Sequence, residues 1–367
     1  MKVMFNLGSM TKGGAERVIA NLSNDMIKNN EIVICVTKYG KSMYEIDPKI
    51  KYYTLDCDEK KRNFLKKNFM RIHRLNNIVK QENPDIIVSL LPEPTYRLML
   101  VNMIRRKKVI ISVRNDPKVE YKSKINNIIM KILYPKADGF IFQTEEARDY
   151  FCKKIKDKSV IIPNPINDEF IQEPYDGERE KIIVSVGRLT EQKNQKMLIS
   201  AFSKLDKKFE DYKLVIYGEG ELRKQLEEQI QELHLESRVF LPGETDNIKE
   251  KIYKSSLFVL SSDYEGMPNA LMEAMALGLP CISTDCPCGG PKFLIKNGHN
   301  GLLTSVKNEE ELVEKINEVL NDKELSKKIG NNANEISKEL NSNIIINKWI
   351  TYIQRVGLNK WIITWFY

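Results

Sequence analysis

Two runs of short β-branched segments alternating with longer amphipathic stretches, parted by one proline-bearing break, constrain this chain more than any other feature. The first run reads "KVMFNLG", "GGAERVIANLSNDMIKNN", "EIVICVTKY", then "PDIIVSLL", a helix from about Thr95, "KVIISV", a basic helix and "GFIFQT". Strand-length runs joined by helix-length stretches predict a parallel sheet covered on both faces. At "IIPNPINDEFIQEPYDGERE" the rhythm stops, with three prolines and a charged stretch. It restarts with "KIIVSVGRL", a helix over 193–207, "YKLVIYGEG", a helix over 221–234, "RVFLPG", "LFVLSS" and "PCISTD". The predicted fold class is α/β, with two doubly wound Rossmann-like domains, a division that 367 residues suit. The expected boundaries are 1–165, a linker 166–180, 181–345, and a C-terminal helix 346–367 packing back on the first domain. Such sheets take ligands outside the carboxyl ends of their strands.

Composition narrows the class. Hydrophobic residues at 42% and charged residues at 29% exclude a disordered chain. Apolar runs such as "IIVSLL" fall far short of the roughly 20 residues a membrane-spanning helix needs. "MKVMFNLGSM" enters a strand at once, so no secretory signal is expected. The six cysteines (35, 57, 152, 281, 286 and 288) form no disulfide framework and read as reduced thiols. Cys286 and Cys288 have the spacing of half a zinc site, but no second pair exists and His73, His234 and His299 are isolated. The formal charge of +8 gathers in the first half, at 58–80, 105–108 and 118–136. Nucleic acid, an anionic membrane and a phosphate-bearing substrate would each match it. Aromatic residues are 8% and are not interleaved with those basic stretches, which argues against nucleic acid. The absence of a G-x-G-x-x-G with a downstream acid argues against a nicotinamide cofactor.

Four motifs carry candidate chemistry. "NLGSMTKGGAERV" is a strand, a glycine turn and a helix starting near Gly14. The helix dipole there favours an anion, and a bare tight turn is the other reading. "VGRLTEQKNQ" again follows a strand and sets Arg188 and Lys193 five residues apart. A planar guanidinium fork and a mobile ammonium together suit a diphosphate; a solvated surface pair is the alternative. "SSDYEGMPNALMEAMALGLP" places Glu265 in a loop and Glu273 about one turn into a helix whose first residue is expected to be Pro268. Carboxylates on two different backbones read as two acceptors for one polyhydroxylated ligand rather than an acid/base pair. A helix-start glutamate favouring the dipole beside a solvated one is the other reading. Finally, Asp56-x-Asp58 has the form of a divalent-ion pair but borders a charge run without supporting acids, and reads as a solvated turn.

Taken in order, "GGAERV", "VGRLTEQKN", "EGMPNALMEAMALGLP" and "NGHNGLL" resemble family 4 retaining glycosyltransferases of the GT-B fold, over roughly residues 2 to 355. The likeness is nearest to bacterial N-acetylgalactosaminyl and related transferases of lipid-linked, capsular or O-antigen glycans. It implies two Rossmann-like domains facing each other across a cleft. It implies transfer of a hexose or N-acetylhexosamine from a nucleotide sugar (UDP-GalNAc, UDP-GlcNAc or another UDP-hexose) to a glycan acceptor on polyprenyl diphosphate. Arg188 and Lys193 would bind and stabilise the leaving diphosphate, with Gly187 beside them. Glu273 would take the ribose, and Glu265 the transferred sugar. The backbone of Gly266, Met267, Pro268 and Asn269 would line both, and Val239 and Phe240 would hold the base. Gly14 would lie against the phosphates. No cofactor or metal is implied, since the fixed cations and a helix N-terminus replace it.

Two departures stand out. Many members present a His from the first domain, where this chain has Arg114 and Asn115 after "KVIISV"; these, with Glu16, are candidate sugar or acceptor contacts. Phe293 stands in "CGGPKFLI" where relatives often show Glu. The basic first-half helices, with Phe64, Phe69, Ile129 and Leu133, would meet an anionic membrane surface, a peripheral position at its cytoplasmic face. A sugar-nucleotide epimerase and a non-catalytic sugar-nucleotide binder remain the rival readings.

Overall fold

The computed structural model describes residues 1–11, 13–38, 40, 44–56 and 63–358. Cys57, Asp58, the Phe64 side chain and the tail from Asn359 lie outside the described residues. Two compact units form, one from Met1–Pro165 with the segment from Asn343 onward, the other from Ile166–Ser342.

The first unit is a parallel seven-stranded sheet of β1 (Lys2–Leu7), β2 (Glu31–Val36), β3 (Lys51–Thr54), β4 (Ile86–Leu90), β5 (Lys108–Ser112), β6 (Gly139–Phe142) and β7 (Ser159–Ile161), ordered β3-β2-β1-β4-β5-β6-β7. Every residue of β4 and β6 is buried, as continuous apolar runs in a doubly covered parallel sheet should be. Helix Ser342–Gly357 belongs to this unit from Asn343 onward and begins four residues before the expected bound. Its inner face buries Ile345, Trp349, Tyr352, Ile353 and Val356, a helical spacing. The Tyr352 hydroxyl accepts from the Phe140 N–H at 2.9 Å and donates to the Lys158 carbonyl.

The second unit is a parallel six-stranded sheet of β8 (Glu180–Val186), β9 (Lys213–Tyr217), β10 (Val239–Gly243), β11 (Ser255–Leu260), β12 (Cys281–Thr284) and β13 (Leu302–Thr304), ordered β10-β9-β8-β11-β12-β13. Residues 166–180, expected as a linker, pack into this unit. Phe170 is buried, the Ile166 N–H donates to the Leu340 carbonyl at 2.8 Å, and Ser342 donates to the Ile166 carbonyl at 3.0 Å. The helix expected over 193–207 runs Gln195–Ser203, because a 3₁₀ turn at Glu191–Lys193 and left-handed Asn194 (φ 46°) precede it. The one expected over 221–234 runs Arg223–Glu232.

Candidate active site

In the second sheet the strand order reverses between β8 and its neighbour β11. Connections leaving those two strands run to opposite sides and open a crevice at their carboxyl ends. Gly187, Arg188 and Lys193 leave β8 there; Glu265, Gly266, Met267, Pro268 and Asn269 follow β11.

The two loops are tied together. The Lys193 ammonium lies 2.5 Å from Glu265 Oε1, and the Ser262 hydroxyl donates to the same oxygen at 2.6 Å. Glu265 is only 5% exposed. A carboxylate taken that far from water needs a cation and donors, and it has both. The Gln192 side chain donates to the Tyr264 carbonyl (2.9 Å), Ser261 to the Lys193 carbonyl (2.9 Å), and the Asp263 N–H to the Gln192 carbonyl (2.8 Å). Asn194 caps its helix through Met197 N–H and donates to Asp263, which also pairs with Lys307 at 3.5 Å. An ammonium has three donor hydrogens; Glu265 takes only one direction of Lys193's. Arg188 is exposed, and its guanidinium has no partner among the described residues. The site therefore offers one neutralised pair and one open cation.

Two glycines make this approach possible. Gly218 has φ +139°, and a Cβ on it would lie 2.1 Å from the Gly187 carbonyl oxygen. A Cβ on Gly290 would lie 1.9 Å from the Gly266 carbonyl oxygen. Gly290 follows β12, in a stretch that templates the Glu265 loop. The Glu265 N–H donates to the Pro287 carbonyl at 2.6 Å, and the Cys288 N–H donates back to the Glu265 carbonyl at 2.9 Å. Sequence reasoning noted this stretch only for Cys286, Cys288 and Phe293; its further signal was Gly289-Gly290-Pro291, a few residues after β12.

Pro268 is the N-cap rather than the first helical residue of Asn269–Ala276. Its extended backbone (φ −76°, ψ 100°) stands outside the helix, while its carbonyl takes the Met272 N–H at 3.1 Å. Glu273 is half-buried one turn along, and the positive end of the helix dipole lies beside the Glu265 loop. The register shows where Val239 and Phe240, expected to hold the base, lie along their strand. Val239 pairs with Leu214 and Phe240 with Val215, whereas Gly243 pairs with Tyr217, itself opposite Val186 at the crevice end. Val239 and Phe240 thus lie four and three residues before Gly243, with an irregularity in the register between Phe240 and Gly243. Phe240 instead faces the Lys213 ammonium, 5.7 Å from its ring.

The remaining candidates belong to the first unit. Gly14 opens helix Gly14–Met26 behind extended N-cap Gly13. The Glu16 carboxylate folds over that end, so close that a Cβ on Gly13 would meet its Oε2 at 2.2 Å. Burial raises the Glu16 pKa. Arg114 follows β5, half-buried; its guanidinium donates to Asn164 and lies 5.7 Å from the Trp349 ring. Its Nε and Nη1 are buried without a hydrogen-bond partner, and desolvation lowers its pKa to about 10. Asn115 is half-buried, and Asp116 caps Pro117–Glu120 through the Lys118 N–H at 2.9 Å.

Of the apolar residues expected at a surface, Phe69 is 71% exposed, but Leu133 is 6% exposed and Ile129 half-buried. Both of the latter face inward because the outer stripe of helix Lys124–Leu133 is Ile125, Ile128 and Ile132. Leu65, Leu100, Met103 and Ile104 are further exposed apolar side chains on the packed helices Phe64–Glu82 and Pro92–Arg105. No helix among the described residues is long and apolar enough to cross a membrane. Among them too, no group of three His, Cys, Asp or Glu side chains gathers as metal ligands, and Cys286 and Cys288 are buried and form no disulfide.

Comparison with known proteins gives a consistent picture. Residues 12–170 match the family described as Glycosyltransferase Family 4, and residues 167–336 match Glycosyl transferases group 1. The Campylobacter jejuni N-acetylgalactosamine-N,N'-diacetylbacillosaminyl-diphospho-undecaprenol 4-alpha-N-acetylgalactosaminyltransferase is 30% identical over 95% of this chain and 98% of its own length. A second Campylobacter jejuni alpha-1,4-N-acetyl-D-galactosaminyltransferase, named for a diNAcBac-PP-undecaprenol glycan, is 29% identical over 97% and 99%. Among solved structures, Anabaena HepE with UDP superposes with a TM-score of 0.81 at 18% identity, over 96% of this chain and 99% of that one. The galactosyltransferase WaaB in apo form gives 0.75 at 21% identity, over 96% and 99%.

Proposed function

The chain belongs to glycosyltransferase family 4 and carries the GT-B fold, and from that premise we propose that it moves an N-acetylhexosamine, or a hexose, from a UDP-linked donor to a glycan on polyprenyl diphosphate. It is a hexosyltransferase working in glycan assembly. The observation that carries the donor reading is the buried Lys193–Glu265–Ser262 cluster beside open Arg188, at the reversal point of the second sheet.

In this reading the donor diphosphate lies between Arg188 and Lys193, both at the positive end of helix Asn269–Ala276. Glu265, paired with Lys193 and accepting from Ser262, accepts from a hydroxyl of the transferred sugar. Glu273 accepts from the ribose, and the backbone from Gly266 to Asn269 lines the space between. The base lies toward Gly243 rather than Val239. In transfer with retention, the bond from sugar C1 to the diphosphate oxygen breaks, and the acceptor hydroxyl oxygen bonds to C1 on the same face. The hydroxyl proton passes to the departing phosphate. Negative charge grows on that phosphate, where two fixed cations stabilise it without rearrangement. Arg114, Asn115 and Glu16 are the first unit's candidates for sugar or acceptor contact.

The exposed apolar and basic residues of the first unit suit a peripheral position on an anionic membrane, where a polyprenyl-linked acceptor resides. The test is incubation with UDP-GalNAc, UDP-GlcNAc, UDP-galactose and UDP-glucose, each with and without a polyprenyl-diphosphate-linked oligosaccharide. The expected result is acceptor mass increased by one sugar with equimolar UDP. A donor sugar epimerised without acceptor, and no mass gain with it, would refute the reading.

A further inference from the structure

At the carboxyl ends of β5 and β6, buried polar groups collect under helix Ser342–Gly357. Ile110 pairs with Gly139 and Ser112 with Ile141, and the Val113 N–H carries the ladder on to the Ile141 carbonyl at 3.0 Å. Side chains two apart along a strand share a face. Ile110, Ser112 and Arg114 therefore lie on one face with Gly139, Ile141 and Gln143. The helix covers that face, since a Cβ on Gly139 would meet the Tyr352 hydroxyl at 2.7 Å and Val356 at 3.1 Å. One turn earlier on the same helix, Trp349 brings its ring 5.7 Å from the Arg114 guanidinium carbon. The Asn164 amide oxygen, just beyond β7, accepts from Arg114 and, at 2.8 Å, from Gln143. All of these residues belong to the first unit.

Five polar atoms of this cluster are buried without a hydrogen-bond partner among the described residues: Ser112 Oγ, Arg114 Nε and Nη1, Gln143 Oε1 and Trp349 Nε1. Buried polar groups are otherwise almost always paired, so five together call for an occupant. Donors outnumber acceptors here. Even with the Ser112 hydrogen assigned to Gln143 Oε1, the N–H groups of Arg114 Nε, Arg114 Nη1 and Trp349 Nε1 have no acceptor. A water molecule would accept from two of them and bring two O–H groups that need acceptors in turn. A single-atom anion accepts from all three and donates nothing. It also supplies a missing charge. Among the described residues Arg114 forms no ion pair, and no carboxylate offsets the burial that lowers its pKa. A buried cation without a counter-charge is costly. We propose that this cluster binds a small inorganic anion, chloride in solution, between Arg114 and Trp349. The ion ties the end of β5, and with it the segment leading to Asn115, to the terminal helix. It takes no part in the transfer chemistry proposed above and does not depend on it.

Trp349 reports on the site without turnover. The full chain carrying Trp361→Phe and Trp365→Phe keeps it as the single indole. Its side chain is fully buried, out of reach of collisional quenchers. The protein would be exchanged into sodium gluconate, whose anion is too bulky for the cluster, and titrated with bromide at constant ionic strength. The expected result is saturable quenching of Trp349 emission at millimolar bromide, reversed by chloride. Quenching that rises linearly with bromide, or no quenching, overturns the proposal. In thermal melting followed by the same emission, chloride in place of gluconate is expected to raise the midpoint by roughly 3 °C or more and then level off. Arg114→Met removes the cation together with its need for a counter-ion and should erase that rise. Asn164→Asp is the second variant, for the case that the first does not fold. Its carboxylate, already seated against Arg114, supplies the counter-charge and should erase the rise as well. A rise of the parent's size in either folded variant, or none in the parent, overturns the proposal. A rise that never levels off marks general salt screening and overturns it too.

Discussion

At the scale of single residues, the proposed roles of Lys193 and Glu265 join stability to turnover. Lys193→Ala leaves a buried carboxylate with Ser262 as its close donor, so it should lower stability by about 1–3 kcal/mol as well as abolish transfer. The pair Lys193→Met with Glu265→Gln removes both charges together and should regain most of that stability in urea unfolding, with transfer still absent. Two single effects that simply add would contradict the coupling. Gly290 gives a second residue-scale prediction. Its missing Cβ is space already taken by the Gly266 carbonyl. Gly290→Ala should shift the Glu265 loop and cut kcat at least tenfold with the second unit still folded. Gly298→Asn is the control, because Gly298 has φ +77° and nothing within 4 Å of a built Cβ, and Asn tolerates that conformation. Equal losses in the two variants would count against the template role. The positions of Lys193 and Glu265 were legible from motif spacing. Their contact was not, since it joins residues 72 apart and depends on β8 and β11 being neighbours. Gly290 hid for the same reason.

At the scale of elements, periodicity reports that a strand exists and says little about which end a ligand meets. The resemblance implied Val239 and Phe240 for the base, and only the register shows that Gly243 is the residue of this strand opposite Tyr217 at the crevice end. Helix Lys124–Leu133 makes the same point, since Leu133 and Ile129 fit an apolar count but Ile125, Ile128 and Ile132 are the residues turned outward. Short β3, β7 and β13 also escaped, each only three or four residues long. A vesicle prediction belongs here. Replacing Ile125, Ile128 and Ile132 together by Ser should weaken sedimentation with phosphatidylglycerol vesicles severalfold at constant fold, measured by circular dichroism. Unaltered sedimentation would move the membrane contact elsewhere. The short helix Pro117–Glu120 carries a pH prediction. Desolvation, with repulsion from Asp116 second, raises the Glu120 pKa to about 7. The folded state therefore holds that proton more tightly than the unfolded chain. This stability is full below the ordinary carboxyl pKa and is lost as pH rises through about 7. Glu120→Gln should match the parent near pH 4 and exceed it in melting temperature at pH 8. A gap that closes at pH 8 instead would overturn the assignment.

At the scale of the whole molecule, two successive sheets and the break between them were readable because parallel, doubly covered strands are continuous apolar runs. The family, shown by the matching family models and a 30% identical relative, was legible in the sequence through four motifs in order, each weak alone. What the chain-wide pattern left open was the fate of residues 166–180, which look like a linker by proline and charge yet pack into the second unit through Ile166 and Phe170. The central claim is that this second unit holds a UDP-sugar diphosphate between Arg188 and Lys193, and that the sugar leaves with its configuration retained. Proton NMR of the product formed from UDP-GalNAc and a polyprenyl-diphosphate-linked oligosaccharide tests it most directly. The account predicts a new α-linked residue with the intact protein and none with Lys193→Met/Glu265→Gln. A β-linked product, or free GalNAc with an unchanged acceptor, would contradict it.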